Sequence, residues 1–371
     1  MLAKRLENLH PYVPGEQPKD RVYIKLNANE NPYPPHESVA QAVKAALDSG
    51  IKKMGLYPDP DSNELRSAIA QMLNKTGGVL SNKNASIPFS VTPDMIFCGN
   101  GSDEVLSFVF YTFFDSDRSL VLPEHTYSFY PVYSGYYGIP MNKIPLKENW
   151  ELDTDRMLSE AEKTDSCIIF ANPNAPTGIA LSKDKVCAML RAAPKDKVFV
   201  VDEAYCDFAE ESCIPLLAEF KNLVIVRTFS KSLSFAGQRL GFVVANPELV
   251  NALFTVKNSF NHFPVDFITQ TAGIASCKAY SYYAENAVKV VNERDSLTAF
   301  LRECGWFVID SKTNFVFAKK DGKSGEEIYQ GVKKAGILIR HFSTPGIEDF
   351  VRITIGTKEQ MDSLKEVLST I

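Results

Sequence analysis

Five short apolar runs, each long enough for one strand and each ending in polar residues that an ordinary surface turn does not need, constrain the fold of this chain most. Residues 95–98 lead into GNGSDE, 119–122 into PEHTYSFY, 167–171 into NPNAPTG, 198–201 into DEAY and 223–226 into RTFSKS. Helical-looking stretches separate them, and strands that alternate with helices build a mainly parallel sheet covered on both faces. In open sheets of this kind ligands bind beyond the carboxyl ends of the strands, where all five tails would collect into one site. The expected fold is α/β: a large domain with a mainly parallel sheet flanked by helices, plus a small α+β domain. A Pro- and Asn-rich arm covers 1–33 and the large domain 34–280. A long polar helical stretch followed by short strands (306–309, 314–318, 350–355) gives a small domain over 281–371, with which the arm can associate.

The remaining composition narrows the function by exclusion. A chain of 371 residues, 45% of them hydrophobic, can bury a large core. Its net charge of -5 is spread along the chain, unlike the basic footprint of a nucleic-acid binder. Apolar runs fall short of a membrane span, and the start MLAKRLENLH lacks the apolar core of a secretion signal, so a cytoplasmic protein with no membrane partner is expected. The seven cysteines lack CxxC spacing and the five histidines lack HxH or HExxH, so they read as reduced core residues and scattered histidines; no metal is expected.

The tails then suggest a ligand. Ser102 and Asp103 follow a Gly-Asn-Gly turn and open an apolar helix, so their N–H groups can seat a phosphate, which Ser230 and Arg239 could complete. A dinucleotide fingerprint does not fit, because Glu104 stands where the third glycine is needed, and there is no GxxxxGK[ST] loop. Asp202, at the end of an apolar strand, is costly there unless a cation or strong donor meets it, and a protonated pyridine nitrogen is such a partner. Lys231, set among Phe229, Leu233 and Phe235, can form a Schiff base with an aldehyde. A phosphate, a pyridinium and an aldehyde together describe pyridoxal 5′-phosphate. Each element also has a bland explanation: Asp202 as a helix cap, Lys231 as a solvated loop charge, NPNAPTG as a turn, Tyr127 as core. Their convergence on one sheet edge favours the site.

GNGSDE, NPNAPTG, DEAY and SKSLSFAGQRLGF, in this order and spacing, resemble the fold-type-I aminotransferases. The arm segments PYVPGEQP and KLNANENPY resemble the histidinol-phosphate aminotransferase family in particular, and the resemblance runs from about 12 to 356. It implies Lys231 as the Schiff-base lysine and general base, Asp202 on the pyridine nitrogen, Tyr205 on the phenolic oxygen and Tyr127 stacked on the ring. It implies Ser102, Asp103, Thr228, Ser230 and Arg239 around the phosphate, with Tyr57 of LYPDP entering from a second subunit of a homodimer. The substrate's own phosphate would meet Arg340 of LIRHF and Arg352 of FVRITI, with Tyr33 as a further donor. The implied reaction is transamination of histidinol phosphate with 2-oxoglutarate, giving imidazole acetol phosphate and glutamate in histidine biosynthesis. One position departs from the pattern: Ala175 stands where the family carries an asparagine donor to the phenolic oxygen, leaving Tyr205 and the neighbouring Asn174 as candidates. The alternatives are an aromatic amino acid aminotransferase, a threonine-phosphate decarboxylase, whose His-Gly-Gly start this arm lacks, and a catalytically silent cofactor-binding protein.

Overall fold

The structure is a computed structural model that describes every residue except 1, 4, 5, 8 and 13. In chain order its strands are β1 (Ile24–Lys25), β2 (Ile96–Gly99), β3 (Leu120–Pro123), β4 (Met141–Ile144), β5 (Cys167–Ala171), β6 (Phe199–Asp202) and β7 (Leu223–Thr228). They continue with β8 (Gly241–Ala245), β9 (Trp306–Ile309), β10 (Phe315–Lys320), β11 (Ile337–Leu338), β12 (Arg340–His341) and β13 (Val351–Thr354). Seven form one sheet in the order β2-β8-β7-β6-β5-β3-β4. The pairings from β7 across to β4 are parallel, and β8 is antiparallel to both of its neighbours. The five apolar runs are β2, β3, β5, β6 and β7. They all point the same way, which brings their polar tails to one edge.

Burial explains why these strands show no alternation of apolar and polar residues. Ile168, Phe170, Phe199, Val201, Leu223 and Ile225 pack into one core. Their sequence neighbours Ile169, Val200, Val224 and Val226 pack into a second core. Side chains alternate across a strand, so a sheet with helices on both faces needs an apolar residue at every central position.

The C-terminal strands form a separate antiparallel sheet in the order β12-β13-β10-β9, packed against the helix Tyr280–Glu303. The arm is stitched to this region, because β1 pairs parallel with β11 and Thr354 N donates to Leu26 O at 3.0 Å. Among the described residues no helix is long and apolar enough to cross a membrane.

One close approach sets the site's geometry. The helix Gly101–Phe113 starts just beyond β2, with its first turn against β8 and Arg239. A Cβ on Gly241 would lie 2.4 Å from Ser102 N, and one on Gly101, at φ +79°, would lie 2.5 Å from Arg239 Nη2. Only glycine allows the helix N-terminus to sit this close to the strand and the guanidinium.

Candidate active site

At the carboxyl edge of the large sheet lies a cavity of about 220 Å³ whose walls include Ser102, Asp103, Asp202, Ser230, Lys231 and Arg239. Its anion-seeking end combines the N-terminus of the helix Gly101–Phe113 with Arg239. The Arg239 backbone is left-handed, with φ +58°, an uncommon state for a non-glycine residue that packing has to hold in place. Its Nη2 pairs with Asp103 Oδ2 at 2.8 Å, and Nη1 lies 3.5 Å from Ser230 Oγ. Tyr127 donates its hydroxyl to Asp103 Oδ1 at 2.9 Å. The Asp103 carboxylate is therefore spent on Arg239 and Tyr127, and what Asp103 offers an anion is its backbone N–H at the helix start. Thr228 lies behind this wall, its Oγ1 accepting from Ser230 N at 3.1 Å.

The opposite wall carries Asp202, buried at the end of β6. Tyr130 donates to Asp202 Oδ2 at 2.8 Å and Ala204 N to Oδ1 at 3.1 Å. Neither donor is a cation, and among the described residues Asp202 forms no ion pair. Burial pushes its carboxyl up to about 6, against the pull of the Tyr130 and Ala204 hydrogen bonds, with Asp103 and Glu203 adding repulsion. A carboxylate held in this condition is a strong receptor for a buried N–H⁺ group. The sequence did not single out Tyr130; its only signal there was a second tyrosine three residues after Tyr127 in TYSFY.

Between these walls Lys231 Nζ lies 5.6 Å from the centre of the Tyr205 ring. The loop that carries Lys231 is pinned from two sides. Asn31 of the arm donates its amide to Lys231 O and Ser232 O, both at 3.0 Å. Ser232 Oγ donates to Asp207, which pairs with the buried Arg227 at 2.8 Å, and Arg227 also pairs with Glu203 at 3.2 Å. Asn29, also from the arm, donates to the Tyr205 hydroxyl at 2.9 Å.

Lys231, Tyr205 and Tyr127 also face a second cavity of about 380 Å³, which opens toward Arg340 and Arg352. Arg340 and Arg352 are directly opposed partners in the β12–β13 pairing, an arrangement of like charges that is destabilising by itself. Neither forms an ion pair among the described residues. Arg352 is held by Nη2 to Asn27 O at 3.3 Å, while its buried Nε has no hydrogen-bond partner there. Burial above all, together with the like charge of Arg340, pulls the Arg352 pKa below its ordinary value. Two guanidiniums facing one cavity, neither of them ion-paired among the described residues, form a receptor for a multiply charged anion.

Three sequence candidates stand apart. Asn174 has its amide engaged elsewhere: Nδ2 donates to His125 O and Thr177 Oγ1, and Oδ1 accepts from Thr126. Ala175, next to it, faces both cavities and offers no hydrogen bond. Tyr33 does not line the cavity with Arg340 and Arg352; its ring lies 5.1 Å from Lys289 Nζ, on the side of the helix Tyr280–Glu303. Tyr57 is 83% exposed, stacks on Phe263 at 4.5 Å, and lines neither cavity.

An amine, a carboxylate without a cation and two anion receptors at the end of a mainly parallel sheet suit an enzyme that works on an amino compound through a bound organic group. The chain belongs to the aminotransferase class I and II family, whose family model matches residues 21–368. Histidinol-phosphate aminotransferase of Syntrophus aciditrophicus (strain SB) is 46% identical to it over 372 residues, covering 100% of this chain and 98% of that one. Histidinol-phosphate aminotransferase of Acinetobacter baumannii (strain SDF) is 42% identical, covering 99% and 96%. Among solved structures, histidinol-phosphate aminotransferase from Sinorhizobium meliloti in complex with pyridoxal-5′-phosphate superposes with a TM-score of 0.85 at 24% identity, covering 100% of this chain and 96% of that one. Aspartate aminotransferase from Thermus thermophilus with maleate superposes at 0.80 and 20% identity, covering 100% and 99%. These two likenesses show the shared fold.

Proposed function

We propose that the protein is a pyridoxal 5′-phosphate-dependent aminotransferase that passes the amino group of L-histidinol phosphate to 2-oxoglutarate, giving imidazole acetol phosphate and glutamate. The observation that carries this reading is one lysine flanked by two anion receptors, the helix start with Arg239 on one side and Arg340 with Arg352 on the other. A phosphorylated cofactor accounts for the first and a phosphorylated substrate for the second. The names of the full-length relatives support the same assignment.

The residues fit the cofactor by the chemistry of their donors. Lys231 would hold its aldehyde carbon, Ser102, Asp103 N–H, Ser230 and Arg239 its phosphate, Asp202 its ring nitrogen, Tyr205 its phenolic oxygen and Tyr127 its ring face. Thr228 supports Ser230 from behind. When bound, pyridoxal 5′-phosphate supplies a ring that delocalises the electron pair left on a carbon when its proton departs. The Lys231 amine, once free of the aldehyde carbon, would serve as the base that takes up the proton of the substrate carbon and gives it back. Asp202 holds a proton on the ring nitrogen, and Tyr130 keeps that carboxylate oriented. Arg340 and Arg352 position the substrate through its phosphate.

The same reading makes the working unit a cytoplasmic homodimer. Exposed Tyr57, with Met54 and Leu56 exposed beside it, supports a contact with a second subunit whose site Tyr57 enters. All seven cysteines are free thiols, which supports a reducing compartment. We also keep the division into an arm (1–33), a cofactor-binding domain (34–280) and a small C-terminal domain (281–371). A panel of amino donors, followed through the absorbance of the loaded protein and by steady-state rates, tests the substrate. Histidinol phosphate should exceed phenylalanine and tyrosine in kcat/KM at least about tenfold, or about 1.4 kcal/mol in the transition state. A preference for phenylalanine would make this an aromatic amino acid aminotransferase, and no spectral change with any donor a silent binding protein.

A further inference from the structure

The hydroxyl of Tyr205 is half used. A phenol has one proton to donate and lone pairs to accept with. Asn29 Nδ2 donates into one lone pair at 2.9 Å, yet among the described residues the hydroxyl donates to nothing. At the other end of the Asn29 amide, Oδ1 accepts from Thr354 Oγ1 at 3.1 Å. That same Oγ1 accepts from Asn29 N at 2.9 Å, and Asn29 O accepts from Asn314 Nδ2 at 3.0 Å. Every polar group of Asn29 is therefore committed, at 1% exposure and with φ +55°, a conformation asparagine adopts more readily than most residues. With Oδ1 turned away, the amide cannot accept the tyrosine proton. Ala175 and Phe315, packed against Tyr205, cannot accept it through their side chains either. The proton is left to point into the cavities that Tyr205 lines.

We propose that Asn29 is a positioning residue, which holds Tyr205 as a hydrogen-bond donor aimed at the ligand and so makes one tyrosine sufficient where Ala175 supplies no second donor. The proposal rests on the cofactor assignment above, in which Tyr205 meets the phenolic oxygen. Thr354 lies two residues from Arg352 on β13, so the two side chains share a strand face. The arm thereby ties the Tyr205 hydroxyl to the strand that carries a substrate-binding arginine.

The test is the pH midpoint at which the visible absorption band of the lysine-bound cofactor changes form, measured without substrate. Asn29→Gly removes the amide while keeping a residue suited to positive φ. Loss of one neutral hydrogen bond from the donor side should raise the midpoint by about 0.5–1 pH unit. Tyr205→Phe should raise it at least as far, and adding Asn29→Gly to Tyr205→Phe should move it no further, because the amide acts only through the hydroxyl. Thr354→Val, which removes the Oγ1 that engages both the Asn29 amide oxygen and the Asn29 backbone N–H, should shift the midpoint in the same direction by less. An unchanged midpoint in both Asn29→Gly and Thr354→Val, or an equal Asn29→Gly shift in the Tyr205→Phe background, overturns the proposal while leaving the cofactor assignment standing. A wild-type protein that takes up pyridoxal 5′-phosphate with no pH-dependent band overturns both.

Discussion

Asp202 is the residue whose replacement separates a cofactor site from a structural cap most sharply, because the two roles predict opposite effects on the cofactor-free protein. Burial raises its pKa from the ordinary 3.8 to about 6. The folded state therefore binds this proton more tightly than the unfolded chain. The resulting stabilisation is fully present below about pH 3.8 and is lost as pH rises through 6. Above that range ionised Asp202 costs the cofactor-free fold about 3 kcal/mol, of which about 1.4 kcal/mol develops between roughly pH 5 and pH 8. Asp202→Asn removes the titration and fits the same contacts, since Oδ1 can accept from Ala204 N and the new amide can donate to the rotatable Tyr130 hydroxyl.

Urea denaturation of the cofactor-free proteins should show the variant more stable than wild type near pH 8, with the advantage shrinking by about 1.4 kcal/mol on moving to about pH 5. Cofactor binding should reduce or reverse that advantage, because a ring N–H⁺ pairs with the carboxylate and not with the amide. Single-turnover rates with an amino donor should fall at least about a hundredfold in the variant, roughly 3 kcal/mol in barrier. Parallel pH–stability curves for the two proteins would refute the claim that Asp202 is held ionised at a cost in the empty fold. Unchanged single-turnover rates would reduce it to a cap.

Lys231→Ala should abolish transamination with circular dichroism unchanged, and near-normal steady-state turnover would remove Lys231 from its role. Ala175→Asn should add a donor beside Tyr205 and lower the pH midpoint of the cofactor band; no shift in a spectrophotometric titration would mean that the new amide does not reach the phenolic oxygen. Mixing Tyr57→Phe with Lys231→Ala subunits should yield hybrids with one site free of both changes. Activity never above that of the Tyr57→Phe parent diluted to the same subunit fraction would rule out a Tyr57 acting across the dimer. Arg352→Ala should erase most of the roughly tenfold preference for histidinol phosphate while largely sparing the weaker turnover of aromatic donors, as read from kcat/KM for both.

What could be recognised in the sequence was whatever a residue does where it stands. The strands β5, β6 and β7 are legible because two-sided burial leaves each a short apolar run. Asp202 and Lys231 are legible because charged groups at or shortly beyond the ends of such runs require a reason, and Arg239 because it stands in the distinctive stretch SKSLSFAGQRLGF. β8 was not, since it starts at a glycine inside a stretch, SKSLSFAGQRLGF, already distinctive for its chemistry. Asn174 and Tyr33 show the opposite failure, in which the residue type suits the task and local bonds take it elsewhere. Thr126 and Thr177 capture the Asn174 amide. At the arm, Asn31 Oδ1 accepts from Tyr33 N while its Nδ2 is fixed to the Lys231 loop, and the Tyr33 ring goes with Lys289.

The supporting contacts were illegible for a topological reason. Tyr130 meets Asp202 across 72 residues and Asn29 meets Tyr205 across 176, so no local pattern records either pair. Arg227 illustrates the point best, because in the sequence it is an ordinary charge at a strand end. In the fold it is buried between Glu203 and Asp207, and Asp207 in turn holds Ser232, next to Lys231. Removing one member of a buried charged set leaves the others unpaired and typically costs about 3–5 kcal/mol, far more than a surface pair is worth. The groups proposed to touch the ligand announce themselves because they are chemically out of place near a strand end. The groups that hold them still are in place only once the chain has folded, and the site's geometry depends on both.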